Sequence, residues 1–203
     1  MLGVSRPSLR EAVRTLQARG RLLVKHGQGI FVERPDSVTE LRRGVREAEI
    51  GLAELFAMRE VLEVPAATWA AERITPDEVT ELEEILNELD GAFDEAEASN
   101  EPPDVDRLAG LDAQFHLGIA AMSGNQFLAQ TSNVLHDMLL AGMETTLLIP
   151  GRREKSRWEH RRILTALGHG DGKAAVRAVR GHIAGARRAA MDRIAREQEA
   201  TEG

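Results

Sequence analysis

Apolar residues recur at three- and four-residue intervals along most of this chain, the period of an amphipathic helix. Six such stretches follow residue 51: Leu52–Arg73, Pro76–Ala98, Asp104–Met122, Gln126–Leu148, Arg152–Leu167 and Gly172–Ala195. Short breaks rich in Gly, Pro, Ser or Asn separate them, so neighbours fold back on one another as an antiparallel bundle. Thr75 and Glu78 have the spacing of a capping box with Pro76 at the first helical position, and Asp171 is placed to cap the last stretch. The acidic run Asp77–Glu97 interleaves Val79, Leu82, Ile85, Leu86 and Leu89, which predicts a solvated charged face over a buried apolar one. Phe56, Trp69, Phe115, Phe127 and Trp158 are expected as core anchors, and the polar tail 197–203 is expected to fray.

The first thirty residues carry a different pattern. Leu9, Val13 and Leu16 predict the buried stripe of one helix, with Arg6, Arg10, Arg14 and Gln17 on another stripe. Ser5 can cap its start, Pro7 falls in the first turn and Gly20 is placed to end it. Leu22–Lys25 and Ile30–Glu33 then read as two short strands joined by His-Gly-Gln-Gly, a hairpin or wing. A helix with Ser and Arg at its start can enter the major groove, where Arg6 and Arg10 are candidates for guanine edges. Gly29 at the wing tip would let backbone approach the minor groove, with His26 and Lys25 near phosphates.

Charge divides the chain the same way. Residues 1–34 hold seven Arg or Lys against two Glu, within a chain of net charge −7. A basic head on an acidic body fits polyanion binding through one end only. The resulting layout is a partial winged helix-turn-helix at 1–34, a linker at 35–50 marked by Pro35 and Ser37, an all-helical domain at 51–196, and the tail. The fold class is mostly α. There are no cysteines, which removes disulfides and thiolate metal sites and fits a cytoplasmic protein. No apolar run approaches the ~18 residues of a membrane span.

Candidate chemistry in the body rests on four side chains. Asp112 and His116 are four apart and so share one helix face, while His160 and His182 lie in two later helices among Ile163, Leu164, Val179 and Ile183. Three imidazoles and a carboxylate suit a divalent ion such as zinc, nickel or manganese, with positions left for water or ligand. Such an ion keeps net positive charge and would attract a small carboxylate. Arg59 can either pair with an organic acid or form an i, i+4 ion pair with Glu63. Asn133 is a candidate for the same pocket. His136 and His169 lack partners at ligand spacing and are expected to face solvent. The Gly-His-Gly-Asp-Gly-Lys-Ala segment is a poor phosphate loop, its glycine spacing short by one and Ala174 standing where Ser or Thr is needed. No Ser-His-Asp constellation is evident.

The segment SRPSLREAVRTLQARG followed by GQGIFV resembles the winged helix-turn-helix of the GntR family of bacterial transcription regulators. That resemblance implies DNA contact by Ser5, Arg6, Ser8 and Arg10 on the recognition helix and by Gln28 and Gly29 on the wing. Such heads carry a first helix and most of a second before the turn, whereas this chain opens inside that turn. About half of the head is therefore expected to be missing, and DNA binding by this version to be impaired.

Residues 51–195 resemble the FCD effector-binding domain of the FadR branch, through MREVLEVPAATWAAERIT, DAQFHLGIAAMSGN and EHRRILTALGHGDGKAAVRAVRGHI. The likeness implies a metal held by Asp112, His116, His160 and His182 and an effector near Arg59. Together the two resemblances imply a homodimeric, non-enzymatic regulator of a palindromic operator, tuned by a metal and a small organic acid. A metal-dependent enzyme or a metal-stabilised dimerisation module using the same Asp/His cluster are the alternatives. The enzyme reading lacks a general acid or base.

Overall fold

The computed structural model describes residues 5–18, 21–25, 27, 29–32, 51–99 and 102–202, the side chains of 137–145 and 200–202 excepted. The chain divides into two compact units, Met1–Glu49 and Ile50–Gly203. The 35–50 linker, His26 and Gln28 lie outside the described residues.

In the first unit, helix α1 (Arg6–Ala18) is followed by strands β1 (Leu22–Lys25) and β2 (Gly29–Val32). The strands pair antiparallel, Leu22 opposite Val32 and Lys25 opposite Gly29. Ser5 caps α1 by accepting from the Ser8 N–H at 3.3 Å, and Gly29 holds φ +124°, a conformation that side chains disfavour. The apolar stripe of α1 is not buried: Leu9 and Leu16 are 49% and 40% exposed, with Val13 half-buried. A two-stranded hairpin is too small to cover a helix face.

The second unit consists of α2 (Leu52–Ala71), α3 (Pro76–Ser99), α4 (Val105–Met122), α5 (Gln126–Leu147), α6 (Arg152–Gly168) and α7 (Gly172–Glu202). The capping chemistry is in place. The Thr75 N–H donates to Glu78 at 2.8 Å and the Glu78 N–H to Thr75 Oγ1 at 3.3 Å, while Asp104, Asn125 and Asp171 cap α4, α5 and α7. The main core sets Ala67, Ala70 and Ala71 of α2 and Ala175, Ala178, Ala186 and Ala190 of α7 among Leu82, Leu86, Phe115, Ile163 and Leu167. Small residues let helix backbones approach closely.

That alanine-rich packing corrects the aromatic expectation. Phe56 and Phe115 are in the core, Trp69 is half-buried, and Phe127 and Trp158 are 81% and 57% exposed. Trp158 falls on the outer face of α6, where Arg162 stacks over its ring at 4.5 Å. The tail also differs: α7 runs unbroken to Glu202. Ala, Arg, Gln and Glu are strong helix formers, and an i, i+4 Arg193–Glu197 pair at 2.6 Å supports the extension. Among the described residues no helix is long and apolar enough to cross a membrane.

Candidate metal centre

Three helices carry one side of their apolar faces to a common point. On α4, Asp112 and His116 lie on the buried side with Leu108, Phe115 and Ile119. On α6, His160 shares its face with Ser156, Ile163 and Leu167, and on α7, His182 lies between Val179 and Ile183 in the core. A helix repeats its face every three or four residues, so each polar ligand takes the place of one core hydrophobe.

The rings converge. Centroids are 5.2 Å apart for His116 and His160, 5.0 Å for His116 and His182, and 4.5 Å for His160 and His182. One ligand atom from each ring lies within 4.8 Å of the others. Asp112 joins them, with Oδ1 3.4 Å from His160 Nε2 and Oδ2 3.9 Å from His116 Nε2. All four residues are buried.

His160 is the informative member. Both its ring nitrogens are buried without a hydrogen-bond partner, because Asp112, although near, lies off the line a hydrogen bond requires. An imidazole lone pair left unsatisfied in the interior is costly, and a cation is one partner that would satisfy it. Nitrogen donors with one carboxylate form a suitable set for zinc, nickel or manganese. Burial pushes His160 down to about 3 despite the opposing pull of Asp112. Burial likewise holds His182 well below the usual histidine range, with the neighbouring rings and arginines adding to the effect. Both rings are neutral at pH 7, the state a metal ligand needs.

Two arginine–glutamate pairs flank the rings. Arg59 Nε donates to Glu63 Oε1 at 2.6 Å, and Glu63 Oε2 is 3.0 Å from His116 Nδ1. Burial alone would raise the Glu63 carboxyl, but Arg59 and His116 outweigh it and hold it far below its ordinary value. On the opposite side, Arg152 Nη1 donates to Glu159 Oε2 at 2.7 Å, and that oxygen is 3.1 Å from His182 Nδ1. Sequence pattern missed Arg152 and Glu159, whose seven-residue separation places them on one face two turns apart.

A small, partly open cavity adjoins the His116 side, lined by Leu55, Met58, Arg59, Leu62, Glu63, His116, Leu117, Ser132, Leu135 and His136. Arg59 forms the i, i+4 pair with Glu63 and also lines the cavity. Asn133 does not: it is exposed and off the lining, one position past Ser132 on α5. His136 is buried in the wall rather than solvent-facing, since it falls one turn beyond Ser132 on the same face. His169 is exposed. In the first unit Ser5, Arg6, Ser8 and Arg10 are all exposed, available to a groove.

Comparison with known proteins assigns both units. The FCD domain matches residues 54–185. This chain belongs to the FCD family. Bacterial regulatory proteins of the gntR family match residues 1–32, so the FCD body follows a GntR-type head, and the chain is a transcription regulator of the GntR/FCD type with a DNA-binding helix-turn-helix. It is 26% identical to the HTH-type transcriptional regulator LutR of Bacillus subtilis, over 89% of this chain and 82% of the relative. It is 29% identical to the galactonate operon transcriptional repressor of Escherichia coli, over 91% and 80%. Among solved structures it resembles Streptococcus agalactiae GntR, with a TM-score of 0.59 and 27% identity over 92% of this chain and 83% of that one.

Proposed function

We propose that the helical unit of this FCD-family regulator holds a divalent ion, zinc, nickel or manganese, on Asp112, His116, His160 and His182, and senses a small carboxylate metabolite beside it. The carboxylate alters operator binding by a homodimer whose heads read a palindromic site through Ser5, Arg6, Ser8, Arg10, Gln28 and Gly29. The observation that carries this reading is the buried meeting of three imidazoles, one with both nitrogens unsatisfied, next to a cavity bordered by His116 and Arg59. Bound there, the ion supplies fixed positive charge for a carboxylate oxygen. Arg59 adds a guanidinium on the cavity wall, and the apolar residues Leu55, Met58, Leu62, Leu117 and Leu135 limit the size and polarity of what enters. A ligand shifts a regulator between states only through different affinities for them, so the acid must favour one arrangement of the dimer. The relative named for a galactonate operon makes galactonate and other small hydroxy acids the first probes.

The test combines elemental analysis of purified protein with thermal-shift titrations of such acids before and after chelation. Bound acid adds about RT ln(1 + [L]/Kd) to stability. The expected result is one metal per chain and an acid response that disappears on chelation. An acid response unchanged by chelation removes the ion from the mechanism, and a His160→Ala/His182→Ala protein with full metal content means that the ligands are misassigned.

A further inference from the structure

His182 and His116 each meet a carboxylate through the same ring atom, Nδ1. Glu159 Oε2 lies 3.1 Å from His182 Nδ1, and Glu63 Oε2 lies 3.0 Å from His116 Nδ1. His160 has no such partner. A carboxylate can only accept, so a hydrogen bond here requires the proton to be on Nδ1, which leaves Nε2 unprotonated. Arg152 Nη2 also comes within 3.5 Å of His182 Nδ1 and would favour the opposite tautomer, in which Nδ1 accepts. The geometry decides between them: the carboxylate is nearer, and Arg152 directs its close contact, 2.7 Å, at Glu159 instead.

The space around this pair is built for it. Arg152 and Glu159 are both buried, an arrangement that two charges tolerate only when well paired. Gly151, with φ +75°, turns the chain into α6 so that Arg152 enters at its first residue. Across the interface Gly185 of α7 leaves room for the carboxylate, since a Cβ there would stand 2.9 Å from Glu159 Oε1.

We propose that Glu159, clamped by Arg152, is a positioning residue that fixes His182 with its proton on Nδ1 and so presents Nε2 to the ion. Glu63 holds the His116 proton on Nδ1 in the same way from the cavity side, where Arg59 Nη2, 3.3 Å from Nε2, is the donor an ion would displace. This inference rests on the metal reading above, since presentation of Nε2 has a purpose only where the three rings share a cation. His ligands are commonly oriented by a second hydrogen bond of this kind; here the orienting group is an arginine-anchored glutamate that immediately precedes the α6 ligand His160 and reaches across to His182 on α7.

The experiment uses the full chain. Long-range nitrogen–proton NMR of the metal-free, histidine-labelled protein reads the His182 tautomer directly. Nδ1–H is expected, and Nε2–H overturns the proposal whether or not any variant folds. Competition titrations with zinc then compare the unsubstituted protein with Glu159→Ala and Glu159→Gln. Alanine should weaken zinc about 10- to 100-fold and release the tautomer preference, while glutamine, whose amide oxygen still accepts, should restore most of both. Unchanged affinity and tautomer in Glu159→Ala also overturn it. Absence of zinc binding by the unsubstituted protein sinks the metal reading, and an Nε2–H ring in a protein that binds zinc sinks only the positioning role.

Discussion

The two sides of the imidazole cluster repeat one design in different surroundings. Arg59, Glu63 and His116 border a cavity; Arg59 and His116 are buried, but Glu63 keeps 16% of its side chain exposed. Arg152, Glu159 and His182 are sealed, at 4%, 7% and 3%. The same three residue types therefore serve different ends. A charge pair beside a cavity can exchange partners with an incoming anion, whereas one packed between helices can only hold its neighbour in place.

The largest contrast between the sides should come from deleting each arginine. Arg152→Ala leaves Glu159 buried without its cation and should destabilise the protein by about 3–5 kcal/mol. Arg59→Ala, where water can reach Glu63, should lose about 1–3 kcal/mol but abolish much of the response to acids. Equal losses of stability in denaturant titrations would erase the distinction.

Acid should act next, and mainly through the sealed side. His160 and His182 are buried neutral with their values pushed down, so the unfolded chain takes up protons before the folded one does. Their contribution is complete above about pH 6.5 and is lost progressively as pH falls, for His160 until about pH 3, at up to about 1.4 kcal/mol per pH unit for each ring. Metal-free protein should therefore melt at progressively lower temperature from pH 7 to pH 5. A flat profile would mean that the rings are solvated.

Within α7, glycine substitutions separate packed from open backbone. Gly185→Ala pushes a methyl against Glu159 and should cost about 1–3 kcal/mol, whereas Gly181→Ala meets nothing within 4 Å and should stabilise by about 0.5–1 kcal/mol. Thermal midpoints moving the same way would contradict the tight seat of Glu159. The smallest effect belongs to Asn133→Ala, which should leave acid responses unchanged because its side chain is exposed. A weakened response would put Asn133 back in the pocket.

Helical periodicity and capping residues marked the elements well, because both are local. Thr75, Glu78 and Asp171 act within their own turn, and their roles were legible. So was the likelihood that Asp112 and His116 share a face. What sequence could not reveal was which face of a helix meets which neighbour. Trp158 and His136 depart from expectation for that reason: size places a Trp inside only when the inner face has room, and α6 packs against alanine-lined helices. Glu159 was obscure because a charged residue beside a histidine is ordinarily solvated, and only the approach of α7 shows that it is not. The α1 stripe teaches the converse, since its period predicts a helix correctly while burial depends on elements beyond it. Polarity alone predicts a frayed tail, although its residues are good helix formers.

Ionic strength should divide the molecule into a part that answers to it and a part that does not. Mobile ions weaken exposed charges over about 10 Å at 0.1 M, and binding of a duplex by a basic head depends on displacing cations from its phosphates. The Arg152–Glu159 pair, out of reach of water, is insulated from that competition. Raising the salt should then weaken any duplex binding by the first unit while leaving the proposed metal and acid site intact, so the two occupancies could be titrated one at a time on a single preparation.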